Sequence, residues 1–133
     1  MSNSSMRTPL GKVRGLGSAR DGAGHYIAQR VTAVALIFLV PWFLFSMLCA
    51  TKGANALERF ANAEVWLSQP FNAILVLLAF CSAIYHMRLG LQVVIEDYIS
   101  GHGMRIALLM LNTFVSFAMI AVTVFSVFKV AVA

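Results

Sequence analysis

Three long apolar blocks, separated by polar joints, dominate the pattern of the chain. The first block, Val31 to Thr51, contains 21 residues without a charge, and the third, Ile106 to Phe128, contains 23. The second block, Phe71 to Ile95, is also long enough to span but contains His86 and Arg88. At about 1.5 Å of rise per residue, an α-helix of this length covers the roughly 30 Å hydrocarbon core of a bilayer. The pattern therefore predicts an all-α integral membrane protein with three transmembrane helices.

The polar joints and one proline refine this picture. Residues 52–70 are expected to form a short external connection with Trp66 as an interfacial aromatic residue. The joint at 96–105 contains Gly101 and Gly103, which are available for a tight turn between helices. Pro41 lies in the middle of the first block and removes one backbone hydrogen bond, so the sequence predicts a kink there.

The composition excludes an ordinary soluble domain. Of the 133 residues, 60% are hydrophobic and 11% are charged, whereas soluble domains carry about 25% charged residues. The length permits one domain at most, which divides into an N-terminal arm, 1–24, and a transmembrane domain, 25–133. Cys49 and Cys81 lie inside apolar blocks without disulfide or zinc-ligand spacing and are interpreted as small core residues.

The net charge of +5 is interpreted as a topology signal and not as a sign of nucleic-acid binding. Basic residues are more frequent before the first block than after it: Arg7, Lys12, Arg14, Arg20 and Arg30 against Lys52 and Arg59. The positive-inside rule therefore predicts a cytoplasmic N-terminus and an external C-terminus. The first 20 residues carry basic residues and serines but no acid, which is also typical of a mitochondrial transit peptide.

The second block has one face of small residues that includes a histidine. On a helical wheel, a narrow stripe is formed by Ala79, Ala83, His86, Gly90, Val93 and Asp97. Gly90, one turn beyond His86, leaves room for a large flat group or for the close approach of another helix. His86 is then either a buried residue hydrogen-bonded to a neighbouring helix or an axial haem ligand. A haem with two histidine ligands would need the second from another chain, because His25 and His102 lie at or beyond the span ends.

Two arginines lie near this region. Arg88 is about 200° around the helix from His86, so we expect it to extend toward the headgroups or to pair with a partner subunit. Arg30 opens the first span, where it could bind a carboxylate such as a haem propionate or act as a topological anchor.

The second block ends in Glu96, Asp97 and Tyr98. A tyrosine hydroxyl can donate a hydrogen bond to a quinone carbonyl, and a neighbouring carboxylate can exchange protons with bulk water. The other interpretation is an interfacial tyrosine beside acidic loop residues.

The run from His86 to Tyr98 closely resembles the second-helix signature of the small, D-type membrane anchors of succinate dehydrogenase: a histidine, a glycine four residues later, and Asp-Tyr at eleven and twelve. Residues 15–22, followed by His25 and the run 29–33, resemble the N-terminal arm of bacterial members of that family. The resemblance covers the whole chain in length and span number.

The resemblance implies a three-helix anchor in the bacterial inner membrane, with the mitochondrial inner membrane as the alternative. Such an anchor packs with a second, C-type anchor and binds a flavoprotein and an iron–sulfur subunit, which carry FAD and the iron–sulfur clusters. It also implies that His86 supplies one axial ligand to the iron of haem b, with Arg30 near the haem propionates. Tyr98, with Asp97 beside it, would bind ubiquinone, and the succinate site would lie on another subunit.

Other functions stay open at this point. A fumarate reductase anchor has the same architecture. The sequence of this chain does not set the direction of the reaction, because the direction depends on flavin and clusters on other subunits. A small three-helix transporter or assembly protein also has three spans, although a transporter would need a water-lined polar pathway. The first and third spans contain only isolated polar residues.

Overall fold

Four α-helices form the part of the chain that the structure describes. This computed structural model describes Leu10 and residues 19–132, with side chains from residue 23 onward in the longer segment. The helices are α1 (Ala19–Ala50), α2 (Ala56–Ser68), α3 (Pro70–Tyr98) and α4 (His102–Val132). The three long helices α1, α3 and α4 are apolar enough to cross a membrane, which confirms the prediction of an all-α protein with three spans.

The long helices extend beyond the apolar blocks that predicted them. α1 begins at Ala19, inside the segment expected as an arm, and continues through Pro41 to Ala50. Residues 1–9 and 11–18 of that arm, with the glycines at 15 and 17, lie outside the described residues. Helical hydrogen bonding continues past the apolar residues, because the backbone groups are satisfied within the helix whatever the polarity of the side chains.

α2 was not expected, since residues 52–70 were predicted to be only a connection. Asn55 caps its first turn, with Oδ1 accepting a 2.8 Å hydrogen bond from the Glu58 N–H. The Glu58 carboxylate in turn accepts from the Ala54 N–H at 2.9 Å. The bond to Asn55 satisfies one of the N–H groups that a helix N-terminus otherwise leaves free, and the bond to Glu58 holds the residue before the cap.

The joint between α3 and α4 spans residues 99–101. Gly101 lies in it, as expected, but Gly103 is already in the first turn of α4. Neither glycine has a positive φ. The turn therefore does not need the left-handed conformation that favours glycine.

Contacts between the long helices establish that each runs antiparallel to its neighbour. Thr32 of α1 meets His86 of α3, whereas Trp42, further along α1, meets Phe71 at the start of α3. α4 contacts α3 near the middle of both helices, where Asn112 Nδ2 donates to the Arg88 carbonyl at 3.0 Å. The beginning of α1, the end of α3 and the beginning of α4 thus share one end of the bundle, here called the Tyr98 end.

The small apolar core lies toward the opposite end, next to α2. It is formed by Ala73, Val76 and Val127, with Trp42 and Trp66 among the side chains packed against it. No side chain in the most apolar stretch of α1 is buried. The interpretation of Cys49 as a core residue is accordingly wrong, because its thiol is exposed on α1. Cys81 is half-buried in α3.

Candidate functional site

His86 lies between α1 and α3 and is half-buried. Its Nδ1 is 2.9 Å from Thr32 Oγ1 on α1. In the described part of the chain, no hydrogen bond is found to Nε2, the other ring nitrogen. The expected hydrogen bond to a neighbouring helix is therefore present at Nδ1, and Nε2 is left to bind another group.

Thr32 was not singled out from the sequence. Its hydroxyl also lies 2.9 Å from the Ala28 carbonyl oxygen and 3.0 Å from the Gln29 carbonyl oxygen, one turn earlier in α1. A threonine in an apolar helix commonly makes such bonds to its own backbone. The register of α1 against α3, which brings Thr32 to His86, had no signal in the sequence.

Gly90 has room for one further carbon atom before it contacts α1. A methyl group built on Gly90 would have Gln29 Nε2 as its nearest neighbour, at 4.0 Å. One turn of helix separates Gly90 from His86, so Gln29 and Thr32 of α1 face the same stripe of α3 that the sequence predicted. The stripe thus combines an imidazole with a lack of side-chain volume beside it.

His25 lies on the same face of α1, since residues 25, 29 and 32 follow helical spacing. Its Nε2 is buried and has no hydrogen-bond partner among the described residues. A buried polar atom of this kind ordinarily has a partner. The face of α1 that meets α3 therefore becomes more polar toward the Tyr98 end.

The structure does not bring the other predicted site residues into contact with His86. Tyr98 closes α3 with 81% of its surface exposed, and Asp97 beside it is also exposed. Arg30 is exposed on α1, with its guanidinium carbon 5.1 Å from the centre of the Tyr26 ring. Tyr98 and Asp97 lie at the Tyr98 end, whereas Arg30 is two residues before Thr32 in α1 and so lies near the level of His86.

Arg88 contacts α4 within this chain, while its expected extension toward headgroups or pairing with a partner subunit stays a prediction. Its guanidinium carbon lies 5.8 Å from the centre of the Phe117 ring, and Nη2 donates a long, 3.5 Å hydrogen bond to Thr113 Oγ1. Arg88 is half-buried there. The helical wheel correctly separated it from His86, which faces α1.

Metal coordination by this chain alone would rest on few ligands. Within residues 23–132, no group of three or more histidine, cysteine or carboxylate side chains could surround a metal ion. His86 is therefore not part of a cluster of three or more metal ligands among these residues.

Comparisons with known proteins agree on one family. The family model described as "Succinate dehydrogenase/Fumarate reductase transmembrane subunit" matches residues 4–127. The succinate dehydrogenase hydrophobic membrane anchor subunit of Rickettsia bellii (strain RML369-C) is 37% identical over 125 residues, which are 93% of this chain and 87% of the relative. The protein with the same description from Paracoccus denitrificans is 31% identical over 119 residues, or 90% and 88% of the two chains. No solved structure matches the chain.

Proposed function

Because this chain belongs to the family of succinate dehydrogenase and fumarate reductase transmembrane subunits, we propose that His86 is an axial ligand of haem b and that Tyr98 binds quinone. The chain is a multi-pass membrane protein and a membrane-anchor subunit of succinate dehydrogenase. Its complex contains other subunits, which we take to be a flavoprotein, an iron–sulfur protein and a second, C-type anchor.

The observation that carries the haem proposal is the environment of the His86 ring. A neutral imidazole binds iron through one nitrogen while the other makes a hydrogen bond that fixes the ring. His86 has such a bond between Nδ1 and Thr32, and Gly90 adds no side-chain volume on the same face. The residues present thus fit a haem, which when bound supplies a one-electron redox centre.

The second ligand would come from the C-type anchor. His102 begins α4 at the Tyr98 end, and His25 precedes Thr32 by seven residues, or about 10 Å of helical rise, so neither lies at the depth of His86. A shared haem also accounts for the half-buried state of His86, since one side of its stripe would be covered only in the complex. Arg30, exposed on α1 two residues before Thr32, would bind a propionate carboxylate by charge and hydrogen bonding.

The proposed quinone site lies further along α3. Twelve residues separate His86 from Tyr98, or about 18 Å of helical rise. The Tyr98 hydroxyl would donate to a quinone carbonyl, and Asp97 would exchange protons with water at the membrane surface. Their exposure in this chain is what a site completed by other subunits requires. The soluble subunits would then have to lie on the same side of the membrane as Tyr98, the side that the positive-inside rule predicts to be cytoplasmic.

The haem ligand is tested by His86→Ala in the purified complex. The haem absorption spectrum should be lost or strongly changed, because the imidazole is an iron ligand. His102→Ala is the matched control, since it removes an exposed imidazole from the same bundle. An unchanged spectrum and midpoint potential in His86→Ala would refute the assignment.

The quinone site is tested by Tyr98→Phe, which keeps the ring and deletes the donor. Losing a hydrogen bond of about 1.4 kcal/mol corresponds to about a tenfold slower succinate–quinone reaction. Succinate oxidation with an artificial acceptor should persist, and Tyr85→Phe, in the middle of α3, should leave both rates unchanged. An equal loss of both activities in Tyr98→Phe would indicate misassembly and contradict a role in quinone binding.

The family description also includes fumarate reductases, which catalyse the reverse reaction, but the relatives from Rickettsia bellii and Paracoccus denitrificans are both described as succinate dehydrogenase anchors. The direction depends on redox centres on other subunits. Membership of this family argues against the alternatives of a small transporter and an assembly protein.

A further inference from the structure

We propose that Thr32 is a positioning residue for His86: its hydroxyl accepts a hydrogen bond from Nδ1–H and thereby presents Nε2, unprotonated, to the haem iron. The inference rests on the proposed haem ligation and extends it to a residue on a different helix. Thr32 and His86 are 54 positions apart in the chain, and the 2.9 Å contact joins α1 to α3.

The direction of this hydrogen bond follows from the surroundings of the Thr32 hydroxyl. Oγ1 lies 2.9 Å and 3.0 Å from the carbonyl oxygens of Ala28 and Gln29. A carbonyl oxygen can only accept, and the hydroxyl has a single proton. If that proton pointed at His86, two carbonyl oxygens would lie within hydrogen-bond distance of Oγ1 with no proton between them, which is electrostatically repulsive.

The hydroxyl proton therefore points to the α1 backbone, and its lone pairs face His86. Nδ1 must then be the donor, so the neutral ring carries its proton on Nδ1 and its free lone pair on Nε2. A metal binds the nitrogen that has no proton, and the hydrogen bond at the other nitrogen fixes both the tautomer and the ring plane. Thr32 is half-buried and held by its own helix, so it is a rigid acceptor.

This arrangement also affects the electronic properties of the ligand. A hydrogen bond from Nδ1–H makes the imidazole a stronger donor, which favours oxidised over reduced iron. Removing the acceptor should therefore raise the midpoint potential of the haem. An outer-shell partner can change metal affinity by about tenfold, and a tenfold change in relative affinity of the two oxidation states is about 59 mV for a one-electron couple.

The test compares Thr32→Val, which keeps the shape and removes the hydroxyl, with Thr32→Ser, which keeps the hydroxyl. The matched control is Thr123→Val, because Thr123 makes the same backbone hydrogen bond in α4, at 2.8 Å to the Met119 carbonyl, without a histidine partner. The readouts are the midpoint potential from an optical redox titration of the purified complex and the EPR g values of the oxidised haem, which depend on the orientation of the axial ring planes.

We expect a higher potential and changed g values in Thr32→Val, and values close to the parent in Thr32→Ser and Thr123→Val. If Thr32→Val does not assemble, Thr32→Ala removes the hydroxyl without β-branching and is judged by the same criteria. A potential and g values like those of the parent would overturn the inference, as would equal shifts in the serine and valine variants.

Failure of this inference can be told apart from failure of the proposed function. If His86→Ala loses the haem while Thr32→Val behaves like the parent, the role of Thr32 alone is overturned. If His86→Ala keeps an unchanged haem, the ligand assignment falls, and the role of Thr32 falls with it.

Discussion

The attachment of α2 to α1 should depend on one hydrogen bond between Trp66 and Ser46. The indole Nε1 of Trp66 donates to Ser46 Oγ at 2.9 Å. The Trp66 ring also packs against Trp42 and Phe43, with centroid separations of 6.0 Å and 6.3 Å. Trp66→Phe keeps an aromatic ring in place but removes the donor, and Ser46→Ala removes the acceptor.

The expected destabilisation can be worked out from the strength of this hydrogen bond. A hydrogen bond between neutral groups contributes about 0.5–1.5 kcal/mol net, and leaving a partly buried donor without a partner costs about 1–3 kcal/mol. Each single variant should therefore lower the free energy of unfolding by about 1–2 kcal/mol. The double variant should be only slightly less stable than either single one, because both changes remove the same bond, giving a coupling energy of about 1 kcal/mol.

The free energy of unfolding can be measured by adding SDS to the purified complex in mixed micelles and following helix content by circular dichroism. Trp42→Phe combined with Ser46→Ala is the control cycle, since Trp42 packs in the same cluster and no hydrogen bond between its indole and Ser46 is found in the described region. Strictly additive effects of Trp66→Phe and Ser46→Ala would refute the reasoning, and so would coupling of the same size in the Trp42 cycle.

Two further predictions concern the capped helix and the haem face. Asn55→Ala should destabilise α2 by about 1 kcal/mol in the same SDS titration, whereas Asn55→Asp, which keeps an acceptor oxygen, should be close to neutral; equal effects would contradict the capping role. Gly90→Ala should leave the fold of this chain unchanged, because the added methyl group meets no atom of the chain closer than 4.0 Å. Gly90→Leu should lower the haem-to-protein ratio in the purified complex by filling the space beside His86, and full haem content in Gly90→Leu would show that this space is not the haem site.

The three spans could be predicted because a bilayer requires long, uncharged runs, and this requirement is visible in sequence. α2 could also have been found, since Asn55 followed three residues later by Glu58 is a helix-start pattern. The segment is amphiphilic and lies between two stronger signals, which favoured its interpretation as a connection. The capping pattern was present in the sequence, but hydrophobicity alone does not distinguish a short surface helix from a loop.

Contacts between helices could be predicted only in part from the sequence. The helical wheel gives the angle between Arg88 and His86, and the structure agrees that they face different neighbours, α4 and α1. The helical wheel does not give the register between helices or the identity of the neighbouring helix. Phe117 and Thr113 as neighbours of Arg88, and Thr32 as neighbour of His86, depend on how far each helix slides along the next, which is decided by packing over many residues.

The antiparallel register also places the first turn of α1 at the same end of the bundle as Tyr98. Thr32 is level with His86, so counting twelve residues along α3 to Tyr98 corresponds to counting twelve back along α1, to about residue 20, a displacement of about 18 Å in both helices. Ala19, the first residue of α1, is therefore level with Tyr98, and residues 19–22 form the first turn of α1 at that end. Residues 19–22 and the Asp97–Tyr98 pair are some 75 positions apart in the chain, but they lie at the same end of the bundle. A site at this end would contain residues from both stretches, whereas the haem face contains Thr32 and His86, about 18 Å further along the two helices.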